Sequence, residues 1–164
     1  MSKKVGLTLI AAVIVFTGMV GFAPQANAAS MPCSLRNAGN QYYIGRFAAN
    51  ETYTLNNFCL VSNSGRFQAI FQGDGNFVAY DYGRPMWASG TYGKGAARLV
   101  FQSDGNIVIY NTKNQPLWAS GTYGNYSNTT GAWLFMQNDG NLVLYPHNYK
   151  NVWLAPIWAT GTNR

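Results

Sequence analysis

The 164-residue sequence predicts an all-β protein made of three internal repeats. The same pattern occurs in residues 65–93, 96–124 and 132–162. Within each copy the apolar residues alternate with a period of two, so that the two isoleucines of the run 106–110 (NIVIY) share one face, as in a strand. No segment after residue 28 shows a sustained helical period. Units of about 30 residues cannot bury a core alone, so the three repeats must pack against one another.

Turn signals divide each repeat into short strands. An Asp-Gly pair interrupts the alternating pattern in every copy and predicts a hairpin: Asp74-Gly75, Asp104-Gly105 and Asp139-Gly140. In the first two copies a second turn signal, Gly83-Arg84-Pro85 or Asn114-Gln115-Pro116, precedes a tryptophan. The equivalent tryptophans Trp87, Trp118 and Trp158 are large enough to fill the centre between the repeats. Residues 31–64 show no copy of the pattern, and we expect them to supply the outer strands that complete the first repeat.

The N-terminus has the pattern of a secretory signal peptide. Lys3 and Lys4 precede an apolar run over 5–23, and Ala26-Asn27-Ala28 forms a small-x-small cleavage site. We therefore expect residues 1–28 to be removed, the protein to be extracellular, and 29–164 to form a single domain. The apolar run is also long enough to span a bilayer as an uncleaved anchor, which is the alternative. After cleavage we expect no stable membrane insertion.

The two cysteines, Cys33 and Cys59, would lie in an oxidising compartment after export, where one disulfide bond between them is the simplest arrangement. A catalytic thiol is the alternative. It would need a histidine partner, and the single histidine, His147, lies in a different repeat from either cysteine.

The composition argues against several classes of function. Charged residues make up 10% of the chain, compared with about 25% in average domains. One histidine and five acidic residues leave little material for catalysis or for a metal site, so we expect no enzyme, no metal and no cofactor. Signal cleavage would remove two of the eleven cationic residues. The remaining ones are scattered, which argues against a nucleic-acid partner.

A set of five side chains recurs around each Asp-Gly turn and forms the candidate site. Hairpin geometry brings its members to one shallow patch per repeat. Turn chemistry explains the aspartate and the glycine but requires neither the glutamine nor the tyrosine. Two amides, a carboxylate and a phenol suit a polyhydroxylated ligand, since they offer both donors and acceptors. The sets are Gln72, Asp74, Asn76, Val78 and Tyr80; Gln102, Asp104, Asn106, Val108 and Tyr110; and Gln137, Asp139, Asn141, Val143 and Tyr145.

The triplicated pattern Gln-x-Asp-x-Asn-x-Val-x-Tyr, followed each time by Trp-Ala-(Ser/Thr)-Gly-Thr, resembles the bulb-type (monocot) mannose-binding lectin family. The resemblance implies a β-prism II fold, with three four-stranded antiparallel sheets about a pseudo-threefold axis and one sugar pocket per sheet. It also implies roles within each pocket. The aspartate and the asparagine would hold the axial 2-hydroxyl of mannose, the glutamine would contact the 3-hydroxyl and the tyrosine the 4-hydroxyl. The valine would pack on the apolar face of the sugar.

The resulting hypothesis is a secreted, bacterial-type, non-enzymatic lectin that binds α-D-mannose or mannose-rich glycans at up to three sites. The alternatives are a lectin-like bacteriocin that kills related bacteria after binding envelope sugars, and a domain whose motifs are only structural. Some relatives exchange the C-terminal strand, so a homodimer formed around the segment 158–162 is a further expectation. An insertion between Tyr145 and Trp158 distinguishes the third repeat from the other two.

Overall fold

The computed structural model describes residues 41–45, 50–124, 129–148, 150 and 154–164. In these residues the regular structure consists of twelve β-strands: β1 (Gln41–Gly45), β2 (Glu51–Thr54), β3 (Phe58–Val61), β4 (Phe67–Phe71), β5 (Phe77–Asp81), β6 (Arg84–Ala88), β7 (Ala96–Phe101), β8 (Ile107–Asn111), β9 (Pro116–Ala119), β10 (Thr129–Met136), β11 (Leu142–Asn148) and β12 (Trp158–Ala159).

The strands form three antiparallel sheets of four strands each, with the orders β3-β4-β5-β6, β2-β7-β8-β9 and β1-β10-β11-β12. Each repeat contributes three consecutive strands to one sheet, and a strand from the N-terminal part of the chain completes it. The predicted all-β architecture of three four-stranded sheets is thus confirmed. In the third sheet β12 pairs with β11 of its own chain.

The expected role of residues 31–64 was wrong. Only β3 joins the sheet of the first repeat, whereas β2 pairs with β7 of the second and β1 with β10 of the third. Each repeat forms a three-strand meander, and the open edge of its first strand would carry unpaired N–H and C=O groups. The N-terminal segment therefore divides into three short strands, each of which covers one of these edges.

The predicted Asp-Gly hairpins are present as three-residue loops. In the first, the Gln72 N–H donates to Asn76 O over 2.9 Å and the Gly75 N–H donates to Gln72 O over 3.0 Å. Gly75 has a φ of 84°, in the left-handed region that closes a type I turn with a bulge. The second turn of this repeat lies at Tyr82 and Gly83, one residue earlier than predicted. Arg84 and Pro85 already belong to the edge strand β6, where a proline loses no ladder bond.

The core lies where the inner faces of the three sheets meet. Alternate residues of the strands, such as Phe77 and Ala79 of β5, are fully buried there. The three repeat tryptophans pack edge to face against one another, with ring centroids 5.6, 5.6 and 5.8 Å apart. This arrangement confirms the predicted central packing of Trp87, Trp118 and Trp158. Such contacts add stability beyond the burial of surface area.

Several predictions concern residues outside the described part. The signal peptide at 1–28, Cys33 and the side chain of His147 lie there. Cys59, on β3, is not a free thiol, and its pairing with Cys33 stays a prediction. No helix in the described residues is long and apolar enough to cross a membrane.

Candidate functional site

Each candidate site lies on the outer face of a sheet, beside the hairpin between the repeat's first two strands. In the first repeat Phe77 and Ala79 point into the core, so Asn76, Val78 and Tyr80 alternate with them and face outward. Gln72 follows the last residue of β4 and is paired with Asn76 across the hairpin. The strand period and the turn thus bring the five motif residues to one patch, as predicted.

The glutamine and the tyrosine of each motif are joined by a side-chain hydrogen bond. Gln102 Nε2 donates to Tyr110 Oη over 3.0 Å, and Gln137 Nε2 donates to Tyr145 Oη over 3.1 Å. Gln72 makes the same bond to Tyr80. Because the phenol oxygen accepts from the amide, the O–H of Tyr80 and that of Tyr110 are left to donate outward. The Oε1 atoms of Gln72 and Gln102 make no hydrogen bond to the described residues and can accept.

The aspartate uses one of its two carboxylate oxygens to hold the turn. Oδ1 accepts the backbone N–H of the asparagine two residues later, over 2.9 Å in all three copies. This is an Asx turn, the local arrangement that favours aspartate at such positions. Among the described residues Oδ2 of Asp74, Asp104 and Asp139 has no hydrogen-bond partner, so this oxygen is available to a ligand.

The asparagine has a structural role that the sequence analysis did not predict. Oδ1 of Asn106 accepts from Ser120 Oγ at 3.0 Å and from the backbone N–H groups of Gly121 and Thr122 at 3.1 and 3.2 Å. Asn141 does the same in the third copy. Backbone N–H groups only donate, which fixes the oxygen of the side chain toward the loop. Nδ2 therefore faces the patch as a donor.

A threonine completes this arrangement in every repeat, buried in the first two copies and partly buried in the third. Thr91, Thr122 and Thr162 each donate from Oγ1 to the carbonyl of the motif glycine over 2.6 Å. Thr91 and Thr122 are 0% and 1% exposed. The last threonine of the segment Trp-Ala-(Ser/Thr)-Gly-Thr thus ties this segment to the Asp-Gly-Asn turn by a hydrogen bond. Its regular recurrence after each motif was the sequence signal for this role.

The motif valines form the floor of the patch. Val78, Val108 and Val143 are only 3, 3 and 2% exposed. Each valine lies between the motif asparagine and tyrosine on the same face of its strand. The hydrogen bond from glutamine to tyrosine spans this position. The valines offer very little surface to a ligand, and their predicted contact with one stays a prediction.

Burial raises the pKa of Tyr80 above its usual value, the hydrogen bond from Gln72 lowers it, and the negative charge of Asp74 raises it further. The phenol is therefore protonated at neutral pH and can act as a donor. The described residues contain no group of three or more His, Cys, Asp or Glu side chains that could hold a metal ion.

The fourth aspartate, Asp81, lies outside the motifs and serves the fold. It receives a bidentate pair from Arg66, at 2.7 and 2.8 Å, and a bond from Arg164 Nη1 at 2.8 Å. The backbone N–H of Arg164 donates to the carbonyl of Asp139 in the third motif. Asp81 therefore links the first repeat to the C-terminus and, through it, to the third site.

Solved structures of lectins are similar to this chain in fold and in sequence over about three quarters of its length. The mannose-specific agglutinin of snowdrop (Galanthus nivalis), in a complex with methyl-α-D-mannoside, is 37% identical, with a TM-score of 0.54 over 76% of this chain and 98% of that one. A monomeric monocot mannose-binding lectin from Gastrodia elata is 34% identical, with a TM-score of 0.57 over 76% and 99%. The chain belongs to the bulb-type mannose-binding lectin family. The β-prism II fold is thereby confirmed.

Relatives of this bulb-type lectin are not confined to plants. The B-type lectin plumieribetin of Scorpaena plumieri is 48% identical over 56 residues, which are 34% of this chain and 49% of that protein. The match therefore spans about half the length of this relative. A comparison with protein-family models found no match. The relatives are lectins, in agreement with the prediction that the chain is not an enzyme.

The three sites of this bulb-type lectin differ at one position that the sequence analysis missed. The residue paired with the motif tyrosine on the neighbouring strand is Gln68 in the first site, Arg98 in the second and Trp133 in the third. Each lies four residues before the motif glutamine and so on the same face of its strand. The period of two along the strand, applied from the motif glutamine back by four residues, was the sequence signal that could have identified this position.

Proposed function

We propose that the protein is a secreted, non-enzymatic lectin that binds α-D-mannose and mannose-rich glycans through its three Gln-x-Asp-x-Asn-x-Val-x-Tyr pockets. The observation that carries this proposal is the threefold repetition of one hydrogen-bond arrangement. In each copy the fold uses Oδ1 of the aspartate and Oδ1 of the asparagine. It leaves the carboxylate Oδ2 and the amide Nδ2 of each motif without a hydrogen-bond partner among the described residues.

The leftover atoms match the chemistry of a sugar. A hydroxyl group both donates and accepts, and the pair of Asp Oδ2 and Asn Nδ2 offers one acceptor and one donor to the same hydroxyl. The O–H of Tyr80 and Oε1 of Gln72 offer a second donor and acceptor on the other side of the valine floor. Two neighbouring hydroxyls of a pyranose fit these two pairs. The mannoside complex of the snowdrop relative supports mannose as the sugar.

Discrimination between mannose and glucose would come from the Asp–Asn pair. The axial 2-hydroxyl of mannose would be held there, and an equatorial hydroxyl would leave both groups without a partner at the interface. A single shallow pocket should bind a monosaccharide with a dissociation constant on the order of 1 mM, about −4 kcal/mol. Binding of one branched glycan by several pockets would then raise the effective affinity.

The experiment is isothermal titration with methyl α-D-mannoside and with the corresponding glucoside. The wild type should bind the mannoside only. In the triple variant Asp74→Asn, Asp104→Asn, Asp139→Asn, each new side chain keeps Oδ1 for the Asx turn but replaces Oδ2 with a donor. Binding should therefore be lost while the folded structure persists by circular dichroism. Asp81→Asn, which removes the aspartate outside the pockets, is the matched control and should bind normally at pH 7. Unchanged binding by the triple variant would contradict the proposal.

Export and oxidation form the second part of the proposal. The secreted protein should begin at Ala29, and its mass without reducing agent should correspond to the Cys33–Cys59 disulfide. The half-buried position of Cys59 on β3, and the fact that it is not a free thiol, support this pairing. Mass spectrometry of the secreted protein tests both points. A retained N-terminal segment or two free thiols would contradict them.

A further inference from the structure

The position beside the motif tyrosine gives each pocket a different neighbour. Gln68 is a neutral amide, Arg98 a cation and Trp133 an indole, and each is paired in register with the tyrosine of its site. The five motif residues are the same in the three pockets. A difference in charge at this position can therefore give the pockets different ligand preferences near the tyrosine.

Arg98 is held in place by the tyrosine of its own pocket. Its guanidinium carbon lies 4.9 Å from the centroid of the Tyr110 ring, in a cation–π contact. This contact uses none of the guanidinium N–H groups as hydrogen-bond donors to the described residues, so they remain able to donate. The Oη of the same tyrosine accepts from Gln102. The row Gln102, Tyr110, Arg98 thus extends the second pocket by one cationic group.

No protein carboxylate neutralises this guanidinium in the described part of the chain. The ion pairs there join Arg66 and Arg164 to Asp81, and neither involves Arg98. The aspartate of the second pocket, Asp104, caps its own turn. A half-buried arginine that lies against an aromatic ring and keeps unused N–H donors is suited to the bidentate binding of a carboxylate or a phosphate group.

The geometry points to a pocket selective for an anionic mannose unit. We propose that Arg98 makes the second pocket prefer mannose that carries a phosphate, sulfate or carboxylate group on the edge that faces Tyr110, whereas the first and third pockets bind neutral mannose. This inference rests on the proposed function. With the 2-hydroxyl at Asp104 and Asn106, the opposite edge of the ring, which carries carbons 4 and 6, faces Tyr110 and Arg98.

An NMR titration can follow the pockets separately, because the backbone amides of Asn76, Asn106 and Asn141 lie in the three turns. The ligands are methyl α-D-mannoside, mannose 6-phosphate and glucose 6-phosphate. At low salt the Asn106 signal should report about tenfold tighter binding of mannose 6-phosphate than of the mannoside, a plausible gain for one charge-assisted contact. The Asn76 signal should report no preference. Salt at 0.5 M should reduce the preference, because the partly exposed charges are screened.

Two exchanges of neighbours provide matched variants. Arg98→Gln gives the second pocket the residue of the first and should abolish its preference for the phosphate, measured as the ratio of the mannose 6-phosphate and mannoside affinities at Asn106. Gln68→Arg should transfer the preference to the first pocket. The inference is overturned if Arg98→Gln retains the preference, if the wild type shows none, or if glucose 6-phosphate binds as well as mannose 6-phosphate. If the wild type binds neither mannose ligand, the proposed function itself fails.

Discussion

The threonine beneath each pocket offers a test of how the fold holds the site. Thr91 is fully buried, and its Oγ1 donates over 2.6 Å to the carbonyl of Gly75. Thr91→Val has nearly the same shape but no hydroxyl, and among the described residues no other donor reaches this carbonyl. A buried acceptor that loses its partner costs about 1–3 kcal/mol. We therefore expect the free energy of unfolding to fall by about 2 kcal/mol.

Urea denaturation measures this effect. With a slope of about 2 kcal/mol per molar urea, the midpoint should move down by about 1 M without a change in slope. Thr122→Val should cost as much, since Thr122 is 1% exposed and makes the same bond to Gly105 at 2.6 Å. Thr52→Val, at an exposed position on β2, is the control and should change stability by less than about 0.5 kcal/mol. If Thr91→Val and Thr52→Val were equal, the hydroxyl would not be what fixes the turn.

Two further predictions concern the charge cluster and the turn glycines. The hydrogen bonds and charge of Arg66, together with the charges of Arg164 and Arg84, hold the pKa of Asp81 below its usual value. The stabilisation of the fold by the ionised Asp81 carboxylate is therefore complete above the unfolded pKa of about 3.9. It is lost as the pH falls through the lower pKa of the folded state. The stability difference between wild type and Asp81→Asn, measured by urea denaturation from pH 7 to pH 2.5, should be constant above about pH 5 and shrink below it; a difference independent of pH would contradict this. Gly75→Ala should destabilise by about 1–3 kcal/mol more than Gly90→Ala, because both glycines have a positive φ but only at Gly75 would a Cβ approach another atom, Ala96 Cβ, at 2.7 Å. Thermal denaturation of the two variants measures this difference. Equal stability of Gly75→Ala and Gly90→Ala would show that the contact with Ala96 relaxes without loss of stability.

Local signals in the sequence were sufficient to predict the hairpins and the central tryptophans. The Asp-Gly turns, the period of two and the recurrence of one tryptophan per copy depend on residues that are near one another in the chain. The assignment of the N-terminal strands was wrong because it depends on which sheet edges remain open, and β1, β2 and β3 carry no copy of the repeat that would show this. Their partners lie in three different repeats.

The sequence predicted that the five residues of each motif lie together, but it did not predict which hydrogen bonds each side chain makes. Gln72 and Asn76 were expected to be neighbours across the hairpin and are paired there, whereas the hydrogen bond from Gln72 to Tyr80 was not predicted. The contacts of Asn76 with Ser89 and Thr91 involve the loop after β6, the third strand of the repeat, 13 and 15 residues further along the chain. Periodicity within a hairpin contains no information about this loop. Asn76 and this loop come together only because β6 pairs with β5.

The structure also clarifies the competing explanations of the repeated motif. Each aspartate and each asparagine has two polar side-chain atoms, and the fold uses one of them in every copy. The turn and its loop account for that one atom, and the second polar atom of each residue has no hydrogen-bond partner among the described residues in any copy. The side chains of the glutamine and the tyrosine are hydrogen-bonded to each other, and neither side chain takes part in the turn or in the strand ladder. A partly buried polar pair that the turn does not require thus occurs in the same motif as the unused atoms of Asp104 and Asn106, and this coincidence in three copies supports the proposal that the patches bind a ligand.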